Sequence, residues 1–352
     1  MGAPTFRYIT DTTAVLICTK ENRRYLTGFS SSLGYLLMTK KGNKLFVDSR
    51  YFEAAAKTAV NCEVVLFSRI LPLLKEELKK QGIIKLLIET ENSISFLNSL
   101  KKGLEVKVSP SDPLSSRLTS LRSVKRRDEL NSIIAAQRIA EKAFDDILNF
   151  IKPGVSEREI AALLEYKMKQ YGAEGVAFDT IAVSGANSSL PHGVPTDKRV
   201  EAGDFVTMDF GATVNGYCSD MTRTVVVEYA TDEMVKVYNT VLRANENVIK
   251  SIKAGMTGKE ADALSRNIIN DAGYGDFFGH GTGHGVGLLI HEAPTLSPKA
   301  DKVKLRAGQV VTDEPGIYIP DKFGVRIEDM LYIRKNDCKN LTKAPKHLII
   351  LK

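Results

Sequence analysis

From residue 151 onward the chain repeats itself, and both copies end in an acidic residue on a strand. Ile151-Lys152-Pro153-Gly154-Val155-Ser156-Glu157-Arg158-Glu159 returns 101 positions later as Ile252-Lys253-Ala254-Gly255-Met256-Thr257-Gly258-Lys259-Glu260, and the same offset carries Gly172 onto Gly273. Ala202-Gly203-Asp204-Phe205-Val206-Thr207-Met208-Asp209 returns 105 positions later as Ala307-Gly308-Gln309-Val310-Val311-Thr312-Asp313-Glu314. Between these segments, His192-Gly193-Val194-Pro195 matches His291-Glu292-Ala293-Pro294. A helix, a His-x-x-Pro loop and an acid-terminated strand must therefore occur twice in the same order, as expected of a repeated structural unit. Two such copies can present two acids and two histidines to a shared cleft, which is one way to build a metal site. The competing explanation is chance likeness between short amphipathic segments, and three matches in register weigh against it.

At 352 residues the chain is longer than a single core usually supports, so two domains are expected. No run approaches 18 apolar residues, which gives no membrane span, and Met1-Gly2-Ala3-Pro4-Thr5 lacks the basic and apolar stretches of a signal peptide. Met1-Gly2 is also a poor myristoylation signal, because Phe6 stands where Ser or Thr is needed. Cys18, Cys62, Cys218 and Cys338 are scattered and read as the reduced thiols of a cytoplasmic protein. A formal charge of +7 is a weak pointer to nucleic acid. The one dense basic cluster, Arg117, Arg122, Lys125, Arg126 and Arg127, has no interleaved aromatics, so it reads as a solvated interdomain segment and no nucleic-acid partner is expected.

The first third alternates strand and helix patterns. Strands are expected at Ala14–Thr19, 34–38 and 44–48 (a hairpin turning at Lys41-Gly42-Asn43), Cys62–Ser68, Lys85–Glu89 and Glu105–Ser109. Helices are expected at Tyr51–Val60, Ile70–Gln81 (stopped by Gly82) and Ile94–Lys102. Together these predict a small α/β domain over 1–121, with a turn-rich boundary at Ser109–Pro113. The remainder, 122–352, is expected to be α+β. Long helices span Asp128–Ile151 and Asp232–Ile252, and Ser156-x-x-Glu159 and Thr257-x-x-Glu260 are capping boxes opening further helices. Strands follow at Val206–Phe210, Thr222–Val227, Val310–Thr312 and Val325–Ile333.

Asn215-Gly216 is a strong two-residue hairpin signal between apolar runs. Taking it as the loop sets Asp209 opposite Thr222 and makes Asp209 and Asp220 diagonal neighbours on one face, roughly 7–8 Å apart. Two carboxylates close together on a buried face must share a proton or bind a cation, whereas on a solvated strand they would be ordinary surface acids. The second copy favours the buried reading, since Glu314 takes the repeat position of Asp209 and Glu328 lies on the next strand. Gly279-His280-Gly281-Thr282-Gly283-His284-Gly285 adds imidazole where backbone can approach closely. It fits neither a Walker loop nor a dinucleotide fingerprint, and the chain has no His-Glu-x-x-His motif. Four carboxylates with a histidine suit a pair of hard divalent ions, Mn²⁺ ahead of Co²⁺ or Zn²⁺. Such a pair, about 3.5–4 Å apart, can activate a bridging water.

Leu190-Pro191-His192-Gly193, Met208-Asp209-Phe210-Gly211, Ser219-Asp220-Met221-Thr222-Arg223-Thr224, the His280 to His291 stretch, Glu314-Pro315-Gly316 and Arg326-Ile327-Glu328-Asp329 resemble the pita-bread metallopeptidases. That family includes methionine aminopeptidases, Xaa-Pro aminopeptidases and Xaa-Pro dipeptidases. Arg24-Tyr25-Leu26-Thr27-Gly28-Phe29 is similar to the creatinase-type N-terminal domain of the proline-directed members. The resemblance implies a pita-bread domain with a pseudo-twofold duplication, preceded by the smaller α/β domain. It implies a homodimer that cleaves the bond before proline in short peptides by a metal-bridged hydroxide. Carried over, Asp220 and Glu328 would bridge two metals, Asp209 would hold one, and His284 with Glu314 the other. Glu314 would also be the general base, His192 and His291 would meet the substrate carbonyl and oxyanion, and His280 and Arg326 would lie on the substrate side. Arg223 reads as a structural ion-pair residue. A non-catalytic peptide-binding module and a creatinase-like amidinohydrolase are the rivals, and the intact set of acids argues against both.

Overall fold

The computed structural model describes residues 6–352, and the readings of the signal-peptide and myristoylation positions at the extreme N-terminus fall almost wholly outside them. The chain forms two compact units, one ending at Arg122 and the other beginning at Ser123. Among the described residues no helix is long and apolar enough to cross a membrane, and all four cysteines are free thiols.

In the first unit six short strands form one mixed sheet, in the order Glu63–Leu66, Gly42–Val47, Tyr35–Thr39, Thr13–Ile17, Lys85–Ile88 and Lys107–Pro110. Successive residues of a strand face opposite sides. Ala14 and Leu16 accordingly pack with Leu74, Leu78 and Leu100 of helices Ile70–Gln81 and Ile94–Gly103, and Val15 and Ile17 pack with Leu114 and Leu118 on the other face. Helix Ile70–Gln81 stops at Gly82, whose φ of 71° lets its N–H close onto the Leu78 and Lys79 carbonyls.

Three expectations for this unit need correction. Thr39 pairs with Gly42, so the hairpin turns at Lys40-Lys41 rather than at Lys41-Gly42-Asn43. The supposed boundary at Ser109–Pro113 opens helix Asp112–Ser123, because a proline in the first turn of a helix forfeits no hydrogen bond. The basic cluster is not uniformly solvated: Arg122 is buried and donates to Asn22 Oδ1 at 2.6 Å, and Lys125, in the second unit, is buried against Glu292. A fixed polar partner makes such burial tolerable, and spacing in the sequence carries no sign of a partner so far away.

The second unit realises the duplication. Helices Arg127–Ile147 and Glu157–Gln170 have counterparts in Asp232–Ser251 and Gly258–Asp271. Ser156 with Glu159, and Thr257 with Glu260, both form the reciprocal capping box. The backbone repeats as well: Gly154 donates to Val200 and Val200 to Val155, as Gly255 does to Leu305 and Leu305 to Met256. A four-stranded sheet runs Ile350–Leu351, Met221–Val227, Phe205–Phe210, Ile181–Ser184, and a five-stranded sheet runs Glu292–Leu296, Gly283–Gly285, Val310–Asp313, Asp329–Ile333, Cys338–Asn340.

The single strand expected over Val325–Ile333 is two. Phe323–Arg326 pairs with Gly316–Ile319, the chain changes partner at Ile327-Glu328, and Asp329–Ile333 pairs with Val310–Asp313. The first copy breaks in a similar place, at Ser219-Asp220, between Tyr217–Cys218 and Met221–Val227. Both breaks carry an acid of interest.

Candidate metal centre

Asn215 and Gly216 have φ of 48° and 68°, the left-handed pair that a two-residue hairpin turn demands. Val214 therefore faces Tyr217, Thr213 faces Cys218, and beyond the break Thr222 faces Asp209. In the second copy Asp313 pairs with Asp329 and Gly316 with Arg326, so Glu314 and Glu328 leave the ladder together between those two pairs. Strand Gly283–Gly285 lies beside Val310–Asp313 and delivers His284 to the same place.

Asp220, His284 and Glu328 each bring a ligand atom within 4.8 Å of the others. His284 Nε2 lies 3.6 Å from Asp220 Oδ2 and 3.3 Å from Glu314 Oε1. Its other nitrogen, Nδ1, is 3.1 Å from the Gly285 carbonyl, which fixes the proton there and leaves an Nε2 lone pair aimed at the carboxylates. Burial, then the neighbouring His291, lowers the His284 pKa to about 4, so no proton is available to relieve that opposition.

The acids are in the complementary predicament. Burial, followed by the charges of Glu328, Asp209 and Glu314, raises Asp220 far above the ordinary carboxylate range, and burial with Asp209 and Glu314 does the same to Glu328. Burial lifts Glu314 to about 8, with Arg326 opposing and Asp209 reinforcing the rise. Asp209 lies outside the tightest group. Its Oδ2 accepts from Arg326 at 2.7 Å, while its buried Oδ1 has no protein partner. An orphaned carboxylate oxygen, an imidazole lone pair and three acids that resist ionisation on a buried face fit divalent cations.

Arg326 organises this set. It donates to Asp209, to Thr222 Oγ1 at 3.0 Å, to Tyr318 at 2.7 Å and to the Pro191 carbonyl at 3.2 Å. Thr222 in turn donates to Glu328 Oε2 at 2.7 Å. The Tyr318 hydroxyl lies 2.8 Å from His280 Nε2, and His280 Nδ1 lies 2.8 Å from the Gly281 carbonyl. Burial and the Arg326 charge lower the His280 pKa to about 4. A neutral His280 thus accepts from Tyr318, and both of its ring nitrogens are engaged within the protein.

His291 is exposed, with its ring centroid 4.2 Å from that of His284. His192 is exposed on the loop following the Gly185–Ser189 turn, next to Pro191, which Arg326 holds. Arg223 is fully buried and pairs with Asp329 at 2.7 Å, while also donating to the Thr222 and Glu328 carbonyls, which is structural work behind the site.

Sequence reasoning did not assign roles to Thr222, Tyr318 or Thr312, whose hydroxyl donates to Glu314 and accepts from the His284 N–H. Thr222 could have been found as the register partner of Asp209. Tyr318 carried no local signal, because it reaches Arg326 across the short hairpin of Gly316–Ile319 with Phe323–Arg326.

Comparison with known proteins adds independent support. Residues 131–335 match metallopeptidase family M24, and residues 10–124 match the creatinase/prolidase N-terminal domain. An Xaa-Pro dipeptidase of Pyrococcus horikoshii is 42% identical over 96% of this chain and 94% of its own length. The solved Xaa-Pro dipeptidase from Bacillus anthracis is 44% identical, with a TM-score of 0.93 over 96% of this chain and 95% of the other. The solved X-Pro aminopeptidase from Thermotoga maritima is 38% identical, with a TM-score of 0.91 over 96% of this chain and 97% of the other. The duplicated α+β architecture behind a smaller α/β domain is the fold shared with these structures. On its fold, its buried acid cluster and these likenesses together, the chain belongs to metallopeptidase family M24 and carries a creatinase/prolidase-type domain ahead of the peptidase domain.

Proposed function

We propose that this chain hydrolyses the peptide bond preceding proline in short peptides with a free N-terminus. The observation that carries the reading is the buried convergence of Asp220, Glu314 and Glu328 on the lone pair of His284, with the unpartnered Oδ1 of Asp209 on the same buried face. The proline-directed names of the most similar relatives supply the substrate class. Proline lacks the amide N–H and stiffens the chain, so general proteases handle its bonds poorly and a dedicated site is useful.

In this reading Asp220 and Glu328 would serve both ions, Asp209 one of them, and His284 with Glu314 the other. The oxygen-rich donor set favours Mn²⁺. Two bound divalent ions would supply an acidified water and polarise the scissile carbonyl.

Every other contribution is the chain's own. Arg326 keeps Asp209 turned inward and, through Thr222, steadies Glu328. Glu314, which lies 3.3 Å from His284 and accepts from Thr312, would take a proton from the activated water and return it to the leaving nitrogen. His192 and His291, the mates of the repeat, sit at the exposed side, where they can donate to the carbonyl oxygen as it gains charge. His280 and Tyr318 fix the orientation of Arg326.

The test is hydrolysis of an Xaa-Pro dipeptide and an Xaa-Pro-Yaa tripeptide by metal-stripped protein resupplied with Mn²⁺, with Asp220→Ala alongside. Cleavage of the dipeptide is the outcome of a dipeptidase, and cleavage of the tripeptide alone that of an aminopeptidase. No turnover of either by metal-loaded protein overturns the reading.

A further inference from the structure

The loop that carries His192 is closed at both ends by one buried acid that lies outside the metal cluster and has no acidic mate in the second copy. Glu157 is fully buried at the start of helix Glu157–Gln170. On the near limb of the loop its carboxylate accepts from the Ser184 N–H at 2.7 Å, the Ser184 hydroxyl at 3.1 Å, and Asn187 Nδ2 at 3.1 and 3.2 Å. On the far limb it accepts from the Thr196 N–H at 3.0 Å and the Thr196 hydroxyl at 2.7 Å. His192 lies between these limbs. The far limb is tied to the helix a second time, since the Glu157 and Arg158 N–H groups donate to the Lys198 and Thr196 carbonyls. The near limb is held against strand Phe323–Arg326 by the Gly324 N–H donating to Ser188 Oγ at 2.8 Å.

The second copy does this job differently. The position matching Glu157 is Gly258, where a Cβ would overlap the Thr295 carbonyl oxygen, so helix and strand meet there directly, backbone to backbone. Beside His291, Glu292 is paired instead with the buried Lys125 at 2.5 Å. The two histidine loops are thus related by the repeat while their anchors are not, and the sequence duplication gives no hint of the Glu157 clamp.

We propose that Glu157 is a positioning residue that sets the reach of His192 by closing the 184–196 loop around its carboxylate. This rests on the reading above in which His192 meets the substrate carbonyl. The chemistry of the clamp is specific. Two backbone N–H groups and an amide NH₂ converge on Glu157, so a glutamine there turns one NH₂ toward donors that cannot accept. Misplacing a group at the reacting centre by about 1 Å costs up to about 100-fold in rate.

The experiment is steady-state hydrolysis of an Xaa-Pro dipeptide by Mn²⁺-loaded wild type, Glu157→Gln, His192→Ala and the double variant. Hydrogen exchange of wild type and Glu157→Gln is followed in parallel, with Thr196→Val as a milder variant should Glu157→Gln not fold. In the expected result kcat falls about 10- to 100-fold in Glu157→Gln. In the His192→Ala background the same change costs less than about twofold, the non-additivity of residues acting through one another. Exchange rises within 184–196 and is unchanged elsewhere. Single effects that multiply in the double variant, or faster exchange spread across the whole peptidase unit, overturn the clamp. Full activity of His192→Ala overturns it too, along with the role given to that histidine. If wild type cleaves no Xaa-Pro peptide, the functional reading fails by itself, and the exchange pattern still decides whether Glu157 holds this loop.

Discussion

Glu314 and His284 face each other at 3.3 Å with pKa values displaced in opposite directions, and this makes the metal-free site sensitive to pH. A carboxyl raised from 4.5 to about 8 keeps its proton in the fold where the unfolded chain has lost it. Its contribution to stability is therefore present at low pH and lost as the pH rises from about 4.5 to about 8. Asp220 and Glu328, also raised, act in the same sense. His284 is lowered from 6.5 to about 4, so it stays neutral in the fold while the unfolded chain takes up a proton, and its contribution is lost as the pH falls below about 6.5. Between pH 6.5 and 8 the acids act alone. Chelator-treated protein should accordingly melt at a lower temperature at pH 8 than at pH 6.5, and saturating Mn²⁺ should abolish or reverse that slope by favouring the ionised acids. A melting temperature of metal-free protein that is flat or rising over that interval would show that the acids are not buried together.

The hairpins place these residues, and what positions the hairpins is largely backbone. At Gly211 a Cβ would overlap the Ser219 carbonyl oxygen, at the step where the strand breaks to present Asp220. Gly211→Ala should cost about 1–3 kcal/mol, the usual range for overpacking. It should also weaken Mn²⁺ binding, because Asp220 directly follows Ser219; denaturant unfolding and metal titration check the two effects, and unaltered metal binding would sink the link between them. This register was legible in the sequence because Asn215-Gly216 permits only one tight turn, and counting outward from it pairs Asp209 with Thr222, as found. Capping boxes were equally legible, since Ser156 and Glu159 identify each other three residues apart. The break at Ile327-Glu328 was not, because Val325–Ile333 holds no glycine, proline or turn signal to show that its two ends pair in different sheets. Helices Lys20–Thr27 and Asp112–Ser123 were also missed. The first is short, and its start is fixed by the remote Glu89, which accepts from the Thr19 hydroxyl and Asn22. The candidate ligands could be listed from motifs, but Thr222, Tyr318 and Glu157 act through partners that spacing along the chain does not reveal.

Among the described residues, each unit has apolar clusters of its own. The two clusters flanking the mixed sheet draw only on residues up to Leu121, and the remaining clusters only on residues from Leu130 onward. All of the candidate ligands belong to the second unit, and they come from both of its copies: Asp209 and Asp220 from the first, His284, Glu314 and Glu328 from the second. With the ligands proposed above, neither copy would hold the ions alone, so metal binding is expected to couple to folding of the entire 123–352 unit. A ligand that binds only the folded state at 100 times its Kd adds about 2.7 kcal/mol to the unit that holds it. Calorimetry of the metal-free chain should therefore resolve two transitions, and Mn²⁺ should raise the temperature of just one of them. Limited proteolysis at the intermediate temperature, with Mn²⁺ present, should leave the 123–352 portion resistant if that unit is the one stabilised. A single transition that moves as a whole with Mn²⁺ would mean that the two units unfold as one cooperative body, and the partition of their cores would then not govern their stability.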